Sequence, residues 1–351
     1  MHIPFKVYIS CSTFNHAPYI KDAMDGFVMQ QTSYPFIAII MDDASTDGEP
    51  DVITNYLKEH FDLEDQTVVR HEETDDYVMT FARHKENLNC YFAVYFLKYN
   101  HYSIKKAKPY PQEWRDSASY VAVCEGDDYW THPMKLQIQV DYLDQNPSCG
   151  IVYSIAEIYN QDKQQFEGSW GREVCIKSLY LESSPIPTLS VCYRIDLFRD
   201  YINKRKEEPS WPLGDVPLWI YFYHNSSMHF IKKKMGVYRL LSESMSHSLD
   251  FSKRTNFIYG AFKCRQFYAE KYVGKNLAKE IVEFRTENLL NLSLIHNHAP
   301  LQPLLKDLLV NYILNIRLFV LIIFSYFNFG RIIINKQRCS SIHNVLQIIP
   351  M

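Results

Sequence analysis

Two short runs, Val7-Tyr8-Ile9-Ser10-Cys11 and Phe36-Ile37-Ala38-Ile39-Ile40-Met41, are rich in β-branched and aromatic residues, and each ends abruptly in polar residues. Short apolar runs bounded by turn chemistry read as buried strands. Between them lies one helix length of chain. Pro18, suited to the first turn of a helix, opens a segment expected to stay helical to about residue 31. A second helix is expected over 51–60 and a third strand over 67–70. A β-α-β-α-β order of this kind forms a parallel sheet with crossover helices, so the chain is expected to be α/β.

The pattern continues downstream. A helix is expected over 85–99, followed by an inserted polar loop over 105–117 carrying Pro109 and Pro111. Tyr120-Val121-Ala122-Val123-Cys124 is the next strand. Pro133 opens a helix with Leu136, Val140 and Leu143 on one face, which stops at Asn146-Pro147. Residues 150–154 form another strand. Beyond about residue 250 the spacing becomes helical, with Leu277, Ile281, Phe284, Leu292 and Ile295 on one face. The expected organisation is an α/β domain over 1–250, a helical extension over 251–300 and an apolar, basic tail over 301–351.

Composition narrows the partners. With 351 residues, 47% of them apolar and 15% aromatic, the chain buries a large core and is not disordered. The 37 Lys and Arg against 40 Asp and Glu call for no polyanion, so nucleic acid is not an expected partner. Eleven glycines exclude collagen-like classes. The eight cysteines form no CxxC, and most are expected to be small core residues in a reducing compartment. The first residues lack a charged leader and a long apolar run, so a cytoplasmic start is expected.

In open α/β sheets, ligands bind beyond the carboxyl ends of the strands. Three polar clusters occupy such ends: Ser12-Thr13-Phe14-Asn15, Asp42-Asp43, and Glu125-Gly126-Asp127-Asp128. Each alone reads equally well as a solvated turn; all three at strand ends favour a shared site. Adjacent carboxylates repel unless a positive charge accompanies them. Mg²⁺ and Mn²⁺ take one or two carboxylates and complete their shell with substrate phosphates. Asp127 and Asp128 are therefore candidate ligands for a divalent cation carrying a diphosphate. No glycine-rich phosphate cradle, HExxH or GxSxG occurs.

The segment 7–31, the run Asp42-Asp43-Ala44-Ser45-Thr46-Asp47-Gly48, and Glu125-Gly126-Asp127-Asp128-Tyr129-Trp130 with its following Pro and Lys-Leu-Gln helix resemble the GT-A-fold family 2 glycosyltransferases, in the form common among bacterial members that build surface polysaccharides. The resemblance covers about residues 5–250. It implies a GT-A-like nucleotide-binding sheet flanked by helices. It implies that Ser12, Thr13 and Phe14 line the base and ribose, that Asp43 accepts a hydrogen bond from uracil, and that Asp127 and Asp128 hold Mn²⁺ or Mg²⁺ and touch the ribose or diphosphate. Gly214-Asp215-Val216-Pro217-Leu218-Trp219 is similar to the family's acceptor-side segment, which makes Asp215 the implied catalytic base; a turn or N-cap role before a helix over 218–222 is its plain structural alternative. Ile186-Pro187-Thr188-Leu189-Ser190 resembles another acceptor-side segment, or is a loop entering a strand. The family often carries Tyr-Arg-x-His, whereas this chain reads Tyr238-Arg239-Leu240-Leu241, with His247 further on.

The implied activity is metal-dependent, inverting transfer from a UDP-sugar to a hydroxyl of a glycan or lipid-linked acceptor. The alternatives are a nucleotidyltransferase, disfavoured because Ser12-Thr13-Phe14-Asn15-His16 lacks a glycine-rich Arg-Lys loop, and a catalytically silent glycan-binding or scaffold protein. In the tail, Lys306, Arg317, Arg331, Lys336 and Arg338 stand against the single acid Asp307 amid apolar bulk. Residues 318–324 are too short an apolar run to span a bilayer. An interfacial helix on anionic lipid at the cytoplasmic face and a helix packed on the domain or a partner subunit are the two leading readings, with a true span as the third.

Overall fold

A computed structural model describes residues 4–206, 208–241 and 250–296. His247 and the tail beyond residue 300 lie outside the described residues, and with them the expectations placed there. The helices are α1 (Ile20–Val28), α2 (Glu49–His60), α3 (Gln112–Ser117), α4 (Lys135–Gln145), α5 (Ile176–Tyr180), α6 (Ile195–Arg205), α7 (Asp215–Asn225), α8 (Phe251–Tyr272) and α9 (Lys275–His296). The strands are β1 (Val7–Thr13), β2 (Phe36–Asp42), β3 (Arg70–Glu73), β4 (Tyr77–Arg83), β5 (Cys90–Leu97), β6 (Tyr120–Val123), β7 (Tyr129–Trp130), β8 (Cys149–Asn160), β9 (Gln165–Trp170), β10 (Cys192–Arg194) and β11 (Ser227–Leu240). The chain divides into two compact units: Met1–Glu173 with Ile186–Lys206 and Asn225–Arg239, and Val174–Pro185 with Glu207–His224 and Leu240–Met351.

The first unit is built on one mixed sheet of order β3-β4-β5-β2-β1-β6-β10-β8-β11-β7, with β9 added on β8. The α/β expectation holds, with a central sheet flanked by helices and helices in the C-terminal part. Its parallel heart is β5-β2-β1-β6. Every residue of β2 is buried, because a central parallel strand is covered on both faces and needs a continuous apolar run. Ile20, Ala23, Met24 and Phe27 make the buried face of α1, and Leu136, Val140 and Leu143 that of α4. Gly26 allows α1 to approach β7, since a Cβ there would lie 2.9 Å from the Trp130 backbone nitrogen. Cys11, Cys90, Cys124, Cys149 and Cys192 are buried, and so is Cys264 of the second unit.

Three sequence expectations are corrected. The segment expected as a helix over 85–99 contains the central strand β5, whose Tyr, Phe and Val side chains are buried on both faces. A fully buried strand has no period of two, so its apolar run imitates a buried helix. The strand expected over 67–70 begins at Arg70 instead and belongs to the antiparallel hairpin β3-β4 at the sheet edge; β5 takes the parallel place beside β2. The sheet is also not wholly parallel: β10 runs antiparallel to both β6 and β8. The inserted loop ends in α3, whose Trp114 is buried against Phe81 with ring centroids 5.2 Å apart.

The described residues of the second unit are mainly helical. Asp250 caps α8 by accepting the Lys253 N–H at 2.9 Å, and Gly274, at φ +136, allows the tight reversal into α9. Arg265 of α8 is buried and donates to the Leu179 carbonyl at 3.3 Å. The Tyr180 hydroxyl meets His224 Nε2 at 2.9 Å. No described helix is long and apolar enough to cross a membrane.

Candidate active site

Parallel pairing aligns the carboxyl ends of β1, β2 and β6. Thr13 stands opposite Asp42, and Ser10 opposite Val123. Backbone bonds extend the alignment past the strands: Asp43 N–H donates to the Thr13 carbonyl at 3.0 Å, and Gly126 N–H to the Ser12 carbonyl at 3.0 Å. The three polar clusters thus meet around the end of β1. Gly126 is required here by space alone, because a Cβ would lie 2.1 Å from Thr13 Oγ1.

The loops after β1 and β2 interlock through side chain to backbone bonds. Asn15, at φ +56, donates its N–H to Ser45 Oγ at 2.8 Å, and its Oδ1 accepts the Thr46 N–H at 2.8 Å. Ala17 N–H donates to Asp47 at 2.9 Å. Glu49, fully buried at the start of α2, accepts from the Thr13 hydroxyl, the His16 N–H and the Ser45 hydroxyl. Glu49 was not singled out in the sequence; its signal is a carboxylate in the first turn of the helix that follows the acidic loop. Burial pushes the Asp42 carboxyl up to about 6, against hydrogen bonds from Ser45 that pull it down.

Ser12 Oγ lies 3.3 Å from the Tyr110 hydroxyl, and the Phe14 ring is exposed. Asp43 is buried. Its Oδ1 accepts the His101 N–H at 2.7 Å, its Oδ2 the Tyr102 N–H at 3.2 Å, and Lys108 Nζ stands 3.5 Å away. Asp127 points a carboxylate oxygen toward His16 Nε2 at 3.9 Å. Asp128 is buried and accepts the Arg239 N–H at 2.8 Å. Burial, then the neighbouring Asp127 charge, push its carboxyl well above the usual range, while Arg239 pulls it down. The Arg239 guanidinium lies between the rings of Tyr19 and Tyr129, 4.8 and 4.9 Å from their centroids. It donates to the Asp127 carbonyl and to Asp22, both at 2.6 Å.

Arg239 therefore spends its hydrogen bonds on Asp22 and a main-chain oxygen, and neither Asp127 nor Asp128 receives a side-chain ion pair from it. Two neighbouring carboxylates, one buried and one partly open, form a donor set suited to a hard divalent cation. Among the described residues no three His, Cys, Asp or Glu side chains cluster as a cage for a metal ion. Asp215 opens α7 in the second unit and accepts the Val216 N–H at 2.8 Å through its own side chain.

No protein-family model matches the chain. An uncharacterized protein of Mycobacterium tuberculosis (strain H37Rv) is 28% identical over 248 residues, 69% of this chain and 61% of that protein. The chain thus spans about 61% of the length of the curated relatives it matches. Among solved structures, S. aureus TarS superposes with a TM-score of 0.50 at 13% identity, covering 92% of this chain and 53% of TarS. The likeness is one of fold. TarS 1–349, crystallised with UDP-GlcNAc, gives a TM-score of 0.48 at 14% identity over 92% of this chain and 79% of that one.

Proposed function

We propose that this protein is a metal-dependent, inverting glycosyltransferase of the GT-A-like, family 2 kind, moving a sugar from a UDP-sugar to a hydroxyl of a glycan or lipid-linked acceptor in polysaccharide synthesis. The observation that carries the reading is the meeting of Ser12, Thr13, Asp43, Asp127 and Asp128 around the carboxyl end of β1, with the two adjacent carboxylates lacking side-chain ion pairs from Arg239. Ser12, Thr13 and Phe14 bind the nucleoside. Asp127 and Asp128 would hold Mn²⁺ or Mg²⁺, which offsets charge on the departing diphosphate. Asp215, supported by the resemblance of its Gly-Asp-x-Pro-Leu-Trp segment, takes the proton from the acceptor hydroxyl. That oxygen bonds to the anomeric carbon as the bond to the diphosphate breaks, and the nucleoside diphosphate leaves with the electron pair. The cations and apolar bulk of the tail support placement on an anionic membrane surface, which deletion from residue 301 should abolish in vesicle sedimentation.

A panel of nucleotide sugars with Mn²⁺, followed for slow hydrolysis without acceptor, tests the activity. Hydrolysis of a UDP-sugar is expected. Binding of UDP without hydrolysis or transfer would instead favour a silent glycan-binding protein, the reading to which Leu241, in place of the family's histidine, lends some weight.

A further inference from the structure

The loop between β1 and α1 fixes a histidine beside the acidic loop. The main chain of His16 is held on both sides: its N–H donates to Glu49 at 2.8 Å, and its carbonyl accepts the N–H groups of Tyr19 and Ile20 at 2.8 and 2.9 Å. Its ring is held as well. Nδ1 lies 3.2 Å from Thr13 Oγ1, and Nε2 lies 3.9 Å from a carboxylate oxygen of Asp127. The two side chains remain open to solvent, at 22% and 21% exposure.

The hydrogen bonds assign the tautomer of His16. A threonine hydroxyl carries one hydrogen, and Thr13 donates it to Glu49. Its oxygen is left to accept, so the hydrogen of the bond between His16 and Thr13 belongs to Nδ1. The lone pair of the neutral ring then sits on Nε2, facing Asp127. Two acceptors thus meet across a gap too wide for a hydrogen bond. A cation bonded to both at about 2.1 Å spans up to about 4.2 Å, so the gap accommodates one. A ring whose far nitrogen is fixed by a hydrogen bond is the usual arrangement of a metal-binding histidine. Mg²⁺ takes oxygen donors, whereas imidazole nitrogen is a common ligand of first-row transition metals.

We propose that His16 Nε2 and Asp127 together bind the divalent cation, and that the imidazole makes the site favour a first-row transition metal such as Mn²⁺ over Mg²⁺. The task of the cation in catalysis rests on the proposed glycosyl transfer; its ligation by His16 needs no nucleotide.

The test binds Mn²⁺ to the full-length wild type, alone and with UDP. Pulsed electron paramagnetic resonance is recorded on protein with ordinary and with isotopically nitrogen-labelled histidine. Calorimetry with Mn²⁺ and with Mg²⁺ gives the affinities. The same measurements follow on His16→Ala and His16→Gln, each first checked for a cooperative thermal transition; the glutamine variant keeps side-chain bulk should the alanine variant fail to fold. A nitrogen coupling that changes with the label is expected in the wild type and in neither variant. Mn²⁺ affinity should fall by about tenfold or more in the variants, with Mg²⁺ affinity within about twofold of wild type. Mn²⁺ bound without a histidine coupling, the result if His16 is instead an imidazolium paired with Asp127, overturns the proposal. A coupling that persists in the variants also overturns it, because it then comes from another of the 13 histidines. Failure to bind Mn²⁺ under either condition does the same. Equal loss of affinity for both metals overturns the selectivity. A histidine coupling in a protein that does not bind UDP leaves the His16 site standing and removes the glycosyltransferase reading.

Discussion

Arg239 holds Asp128 through its main chain and leaves its side chain for other work. The N–H reaches the Asp128 carboxylate at 2.8 Å, while the guanidinium, between Tyr19 and Tyr129, bridges Asp22 and the Asp127 carbonyl. An ammonium lacks the planar fork needed to serve both acceptors while lying between two rings. Arg239→Lys should therefore destabilise the fold by about 1–3 kcal/mol, Asp22 being half-exposed and well solvated on its own. Urea unfolding of the two proteins measures this. An unchanged midpoint would mean that the bridge contributes nothing.

Asp42 makes stability depend on pH in an unusual direction. Its carboxyl is pushed up to about 6 by burial, so between the ordinary carboxylate value and 6 the folded chain binds its proton more tightly than the unfolded chain does. The stabilisation is complete below the ordinary value and is lost as pH rises to about 6. Asp42→Asn keeps the oxygen that accepts from Ser45 and removes the charge. It should raise stability at pH 7, by at most about 3 kcal/mol, and flatten the slope between about pH 4 and 6. Thermal melts across that window check both.

Gly126→Ala places a methyl group onto Thr13, whose hydroxyl is bonded to Glu49. The side chain must rotate away or β6 must shift from β1. A cost of about 1–3 kcal/mol is expected, with weakened UDP binding. Calorimetry against UDP, alongside a thermal melt, separates the two losses; full retention of both would show that the loop has room.

Asp127→Asn removes the charge of the more open carboxylate of the pair. UDP binding in Mn²⁺ should fall to the level seen with chelator in the wild type, and turnover with it. Full activity of the variant in the presence of chelator would remove the cation from the mechanism.

Asp215→Asn should leave UDP affinity nearly unchanged while turnover drops by about 10²- to 10⁴-fold, the usual contribution of a general base. A parallel fall in UDP affinity would assign Asp215 to the architecture of its own helix, where it already accepts the Val216 N–H.

The parts of the fold that could be read in the sequence are those where short-range chemistry suffices. Acidic turns follow β2 and β6 directly, and the apolar faces of α1 and α4 repeat at helical spacing. The central strand β5 could not be read because burial on both faces erases its period. The edge strand β3, Arg-His-Glu-Glu, carries no apolar residue at all. In the site, the acidic residues were visible and their partners were not. Asp43 is satisfied by main-chain groups that look alike at every residue, and the Asp22 partner of Arg239 lies 217 positions away.

The interlocked loops after β1 and β2 also set a rule for anyone who would re-engineer the proposed donor pocket. Asn15, Ser45, Thr46 and Glu49 exchange bonds across two segments separated by a whole helix and strand. Each segment draws part of its bonding from the other. A graft that imports one loop from another protein would leave half of a matched pair, so the two have to travel together, as a single cassette encoded in two places.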